Sequence, residues 1–102
     1  MYLIENEVSD LMQIGITNNR DERLAKHRRS GFDNVVDVRG PIDGVLARDL
    51  ERACIRALEK RGATFVKDLD VPRFDGWTEA WSTETLAPAS LAEIMNMVYE
   101  DD

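Results

Sequence analysis

The sequence predicts a small α+β domain, in which a three-stranded sheet is flanked by helices in the order β-β-α-β-α, then a loop region and a last helix. Residues 1–4 and 11–17 are short apolar, β-branched runs separated by a turn-rich stretch, as in a β-hairpin. Apolar residues recur at helical spacing over residues 43–61 and again over residues 91–98. A chain of 102 residues suffices for one hydrophobic core, so we expect a single domain over residues 1–102.

Local signals set the limits of the helices. Asn18 and Asn19 are candidate N-caps of a short helix, DERLAKHRRS, that ends at Gly31. Ser90 and Glu93 form a capping box at the start of the last helix. These signals predict where the first helix begins and ends and where the last helix begins.

The remaining segments are extended or irregular. FDNVVDVRG, residues 32–40, carries three valines and predicts the third strand. FVKDLDVPRFDGWTEAW, residues 65–81, predicts a loop with one or two short strands near Phe74 and Trp81. Trp77 and Trp81 either stack on bases or belong to the core, and the core is the more common place for an aromatic ring.

Composition excludes several classes of protein. No apolar run approaches the roughly 20 residues of a membrane-spanning helix. The single cysteine, Cys54, excludes an internal disulfide and a cysteine-based zinc cluster. The start of the chain, MYLIENE, lacks the basic and apolar regions of a secretory signal. We therefore expect a cytoplasmic protein that makes no membrane contact.

The charge is unevenly distributed along the chain. The net charge is −7, which disfavours a nucleic-acid partner for the chain as a whole. Residues 16–61 nevertheless contain 11 Lys and Arg against 8 Asp and Glu, whereas residues 62–102 contain 2 against 9. Either the basic middle faces a nucleic acid, or these charges are solvated helix surfaces.

One carboxylate of the long helix lies among apolar side chains. On a helical wheel Glu51 falls between Leu58 and Ile55, whereas the other charged residues of the central turns fall on the opposite side. Burial of an ionised carboxylate is costly unless a cation or hydrogen-bond donors satisfy it. Glu51 is thus either half of a salt bridge to Arg23 or Arg39, or a ligand of Mg²⁺ or Mn²⁺. The apolar arc that encloses it comprises Leu46, Ala47, Leu50, Ala53, Cys54, Ile55, Ala57 and Leu58.

The order of these motifs resembles the GIY-YIG endonuclease family, in particular its small phage and plasmid members. MYLIEN followed by MQIGITNN resembles the paired strands that name the family, with Tyr2 at the first motif's tyrosine and Ile14-Gly15 at the end of the second. NNRDERLAKH then supplies Arg23 and, one turn later, His27. Glu51 reproduces the family's glutamate, with apolar residues four and seven positions on.

The resemblance extends to FDGWTEAW, a segment to which the sequence assigns no role, and it departs from the family in two places. Only Met1 precedes Tyr2, so the first motif lacks its glycine. Gln13 stands where the second motif has its tyrosine. An amide can hydrogen-bond a water molecule but cannot act as a base.

The resemblance implies a role for each site residue in hydrolysis of a DNA phosphodiester bond. Glu51 would hold one Mg²⁺ or Mn²⁺ ion. Arg23 would hold the phosphoryl oxygens, and Tyr2 would orient or deprotonate the attacking water. His27, one turn after Arg23, would contact a phosphate or relay a proton, unless it is a solvent-exposed helix residue. A basic cluster around it would attract the DNA backbone; it consists of Arg20, Lys26, Arg28 and Arg29.

Three functions follow from these observations. The first is a metal-dependent DNA endonuclease whose specificity is low, or comes from a protein partner or a homodimer. The second is a non-catalytic module of the same fold that binds nucleic acid or a protein, which Gln13 and the acidic C-terminal part favour. The third is an acidic inhibitor or interaction protein that uses the fold only as a scaffold, because fold does not determine function.

Overall fold

A computed structural model describes residues 1–17, 19–40, 44–74 and 76–100 and contains a small α+β domain. The first strand, β1, lies inside an antiparallel sheet of order β3-β1-β2-β4. Three helices accompany the sheet. The elements are β1 (Tyr2–Asn6), β2 (Leu11–Gly15), α1 (Arg20–Arg29), β3 (Asn34–Val38), α2 (Gly44–Lys60), β4 (Ala80–Ser82) and α3 (Leu91–Glu100).

The sheet has four strands, so the predicted three-stranded sheet is wrong. β4 pairs with β2 over three residues and thereby covers the edge that a β3-β1-β2 sheet would leave open. A strand of three residues is too short to show an alternating apolar and polar pattern. The sequence therefore predicted a short strand near Trp81 but not its pairing with β2. The second strand considered, near Phe74, is absent: residues 71–74 are irregular.

Each face of the sheet has its own apolar cluster. Alternate side chains of a strand point to opposite faces, so Leu3 and Ile14 lie on one face while Tyr2 and Ile4 lie on the other. The first face packs against α2 and α3. The second is covered by α1 and by the segment around Val66. The α2–α3 face holds Met1, Leu3, Met12, Ile14, Cys54, Ala57, Leu58, Phe65, Trp81, Leu91, Ile94 and Met97.

The predicted helix signals are largely confirmed. Asn19 caps α1 by accepting a hydrogen bond from the Glu22 amide, at 3.4 Å, whereas Asn18 lies outside the described residues. At the start of α3 the Ser90 hydroxyl accepts from the Glu93 amide at 3.1 Å. Trp81 and Cys54 are core residues, as predicted. Leu46, in the first turn of α2, is exposed instead of buried.

Asp37 joins β3 to α3. Its Oδ2 accepts a hydrogen bond from the Leu91 amide, the first residue of α3, at 2.9 Å. The same oxygen lies 3.3 Å from Nε of Arg39, and its Oδ1 accepts from the Val38 amide at 2.9 Å. These donors favour the ionised carboxylate, chiefly the Leu91 amide, and hold the pKa of Asp37 below its ordinary value. None of the helices in the described ranges has the length and apolar composition of a membrane span.

We predict that Asp37→Asn lowers the free energy of unfolding at pH 7 by about 1.5–3 kcal/mol, as is usual for hydrogen bonds to a charged group. Because the folded protein holds this carboxyl at a lowered pKa, the stabilisation is complete above the unfolded pKa of 3.8 and is lost as the pH falls through the folded pKa. Urea unfolding of both proteins at neutral and acidic pH measures the difference. Asp33→Asn, at an exposed position before β3, is the matched control; equal effects of both substitutions at pH 7 would refute the role of Asp37.

Candidate active site

An open cleft of about 580 Å³ lies at the end of the sheet where β1 begins. Its walls come from the start of β1, the segment after β2, the first residue of α1, the end of β3 and the first two turns of α2. Met1 and Arg39 hold this end of the sheet together, because each donates a hydrogen bond from its backbone nitrogen to the other's carbonyl, at 2.7 Å and 2.8 Å. Tyr2 lines the cleft beside them.

Tyr2 and His27 form a hydrogen-bonded pair. The Tyr2 hydroxyl lies 2.8 Å from Nε2 of His27, and both side chains are buried. The Tyr2 ring lies over Gly15, its partner in the β1–β2 register, where a Cβ atom would overlap Cζ and Oη of the tyrosine. Gly15 therefore has a steric reason to be glycine. Of the two, Tyr2 lines the cleft, and His27 of α1 lies behind it.

His27 is not a solvent-exposed helix residue, so that alternative is wrong. Its side chain is fully buried, and its ring packs edge-on against Phe32 at a centroid distance of 6.5 Å. The ring also lies 5.5 Å from that of Tyr2. α1 is rich in charged residues, so its periodicity gave no sign that one face would be buried. Arg23, one turn earlier, is half-buried on the same helix.

Glu51 is half-buried on α2 and forms no ion pair with any residue of the described ranges. Arg39, one of its two predicted salt-bridge partners, pairs instead with Asp37 at 3.3 Å. Burial raises the pKa of Glu51 above its ordinary value, and the charge of Glu79 raises it further. Arg52 and the Met1 amino group oppose this shift. The salt-bridge explanation of Glu51 is therefore not supported, because no cationic side chain of the described residues lies at ion-pair distance from it.

Glu79 is a second carboxylate that the sequence analysis did not single out. It lies just before β4, in the FDGWTEAW segment, and its charge acts on Glu51. No group of three or more His, Cys, Asp and Glu side chains that could hold a metal is found within the described ranges. A Mg²⁺ ion commonly takes one or two carboxylates and fills its other positions with water and substrate oxygens. Glu51 could supply one such carboxylate.

The predicted basic cluster is divided by the structure. Arg20 lines the cleft, whereas Lys26, Arg28 and Arg29 lie exposed along α1 and do not line it. Arg39 and Arg48 line the cleft as well, although the sequence did not single them out as binding residues. Their convergence with Arg20 depends on three separate elements meeting at one end of the sheet.

Gln13 is buried away from the cleft. It lies on β2, on the same face of the sheet as Tyr2, and is 1% exposed. Its amide packs against Gly76, where a Cβ atom would overlap it. Gly76 has a φ of +81°, a conformation that favours glycine. This contact gives the FDGWTEAW segment a structural role: it covers Gln13 and leads into β4.

We predict that Glu51→Gln raises the free energy of unfolding at pH 7 in metal-free buffer. The raised pKa of Glu51 means that the folded protein binds this proton more tightly than the unfolded chain does. The contribution of this carboxyl is therefore most favourable below its ordinary pKa of 4.5 and becomes less favourable as the pH rises through the folded pKa. Urea unfolding at pH 7 and at acidic pH should show a gain at the higher pH alone.

Asp49→Asn is the matched control, since Asp49 is an exposed carboxylate on the same helix. It should leave stability nearly unchanged, as most exposed substitutions do. A loss of stability in Glu51→Gln at pH 7 would show that Glu51 makes a stabilising ion pair after all.

Comparison with known proteins supplies no relative from which a function could be transferred. No protein-family model, no curated protein and no solved structure matches the chain. The functional interpretation therefore depends on the site geometry and on the motif resemblance.

Proposed function

We propose that the protein is a metal-dependent endonuclease of the GIY-YIG type that hydrolyses DNA phosphodiester bonds with one Mg²⁺ or Mn²⁺ ion. The observation that carries the proposal is the buried Tyr2–His27 hydrogen bond of 2.8 Å in the wall of a cleft. Glu51 supports it, because the amino group of Met1, the residue next to Tyr2, acts electrostatically on this carboxylate. A hydroxyl hydrogen-bonded to a base, and a carboxylate without an ion pair in the described ranges, are groups that phosphodiester hydrolysis can use.

Tyr2 would activate the attacking water through His27. With His27 neutral and protonated at Nδ1, the Tyr2 hydroxyl donates its hydrogen bond to Nε2. As the water oxygen attacks phosphorus, its proton passes to Oη of Tyr2 while the phenolic proton passes to Nε2. A neutral phenol is a weak base, so a tyrosine alone accepts a proton from water poorly. A neutral imidazole is a stronger base and can take the phenolic proton at the same time. The tyrosine thus relays a proton and need not be ionised beforehand.

Neither Arg23 nor Glu51 is among the described residues that line the cleft, and their roles come from the motif resemblance. The planar guanidinium of Arg23 would hold two phosphoryl oxygens and neutralise charge that develops on them. A metal ion bound by Glu51 would polarise the phosphate and stabilise the leaving oxygen. The half-burial of Glu51 favours such binding, because a cation would offset the cost of holding its charge out of water.

A second candidate function is a non-catalytic module that binds nucleic acid or a protein partner. Gln13 favours it, because the residue that replaces the second motif's tyrosine is buried against Gly76 and does not line the cleft. In the endonuclease proposal the residue at position 13 has no catalytic role, and the proton relay consists of Tyr2 and His27. Catalytic assays therefore separate the two functions.

We predict that the purified protein, in Mg²⁺ or Mn²⁺, cleaves at least one of supercoiled, branched and single-stranded DNA. Glu51→Gln should abolish cleavage, and Tyr2→Phe should reduce the single-turnover rate by roughly 10²–10⁴-fold, as the loss of a positioned proton-transfer group does. Asp49→Asn removes a carboxylate from the same helix and should cleave at the wild-type rate.

The folded state of every variant is checked by circular dichroism before assay. Absence of cleavage by folded wild-type protein on all three substrates would refute the endonuclease and favour the binding module. Equal cleavage by wild type and Glu51→Gln would assign the activity to a contaminating nuclease.

A further inference from the structure

Three arginines from three different elements meet in the cleft. Arg20 is the first residue of α1, Arg39 follows β3, and Arg48 lies in the second turn of α2. No acidic side chain of the described residues lines the cleft. In a chain of net charge −7, this is a local concentration of positive charge on a concave surface. Such a cleft focuses the electrostatic potential on an anionic ligand.

The three guanidinium groups keep donors available for a ligand. Arg48 makes no ion pair within the described part of the chain. The pair of Arg20 with Asp21, at 3.8 Å, joins two highly exposed side chains and is therefore weak. Asp37 engages Nε of Arg39, and a guanidinium has further N–H groups with which to bind a phosphate. The same contact fixes the orientation of Arg39.

The size and lining of the cleft indicate a ligand larger than a single phosphate. About 580 Å³ is within the range of sites that enclose a drug-sized ligand, so a short stretch of one strand fits and a duplex does not. Ile16, Val38 and Tyr2 also line the cleft and offer apolar contact to sugars and bases. Lys26, Arg28 and Arg29 lie outside this surface.

We propose that this cleft binds the backbone of a single DNA strand through Arg20, Arg39 and Arg48, without a metal ion, and that Lys26, Arg28 and Arg29 contribute little. The inference rests on the proposed function only for the identity of the ligand as DNA. It adds to that function a path for the DNA strand, in which the scissile phosphate lies beside Tyr2 and the neighbouring phosphates lie beside Arg39 and Arg48.

Salt-dependent binding in EDTA tests the strand path, because no cleavage is needed for it. The anisotropy of a short fluorescent single-stranded oligodeoxynucleotide is titrated at several salt concentrations. Each lost phosphate contact on single-stranded DNA lowers the log–log salt slope by about 0.7, so Arg39→Gln/Arg48→Gln should lower it by about 1.4. Arg28→Gln/Arg29→Gln removes the same net charge outside the cleft and should leave the slope unchanged.

Arg48→Gln alone guards against misfolding, because Arg48 makes no ion pair in the described ranges; its slope should fall by about 0.7. Equal slope losses in the two double variants, or a larger loss in Arg28→Gln/Arg29→Gln, would overturn the inference. So would competition by deoxycytidine monophosphate at the same concentration as the strand, since it would reduce the cleft to a site for one phosphate.

Failure of this inference is distinguishable from failure of the proposed function. If the cleft double variant loses salt slope and the α1 double variant does not, but the protein cleaves no DNA, the endonuclease proposal is refuted and the strand path is retained. If cleavage requires Glu51 but the two double variants have the same salt slope, only the strand path is refuted.

Discussion

The position of α1 on the sheet depends on the buried hydrogen bond between Tyr2 and His27. The sequence of α1, RDERLAKHRR, offers little apolar surface, and His27 is its only buried residue. A helix of that composition has no apolar stripe strong enough to fix its position. The hydrogen bond of 2.8 Å therefore anchors the helix, and Arg20 and Arg23 reach their places because His27 does. Removing either partner would leave the other with an unsatisfied buried polar group, a cost of about 1–3 kcal/mol.

The same bond determines what the neighbouring residues can be. The Tyr2 ring occupies the space that a side chain at position 15 would fill, so the Ile14-Gly15 pair is a packing requirement of the tyrosine. Glu51, on α2, is half-buried, is subject to the charge of Glu79 and makes no ion pair in the described ranges. An arrangement that weakens the fold at one residue is typical of functional sites, where stability is exchanged for chemistry.

Local patterns predicted more of this molecule than long-range contacts did. Glu51 stands out because a helical wheel needs only neighbouring residues, and the Asn19 and Ser90 caps are equally local. The bond from Asp37 to the Leu91 amide joins residues 54 positions apart, and no local pattern marks it. The convergence of Arg39 and Arg48, and the approach of Glu79 to Glu51, likewise require the folded chain. The burial of His27 also depends on a distant part of the chain, because its hydrogen-bond partner, the Tyr2 hydroxyl, lies 25 residues earlier in the sequence.

The central proposal is that Glu51, which makes no ion pair with a described residue, is a ligand of a metal ion. Calorimetric titration of Mn²⁺ into wild type, Glu51→Gln and the Asp49→Asn control, each with a non-cleavable phosphorothioate strand present, tests it most directly. The account predicts saturable binding of one ion by wild type and by Asp49→Asn, and none by Glu51→Gln. Equal Mn²⁺ binding by Glu51→Gln and wild type would contradict the claim and remove Glu51 from the site.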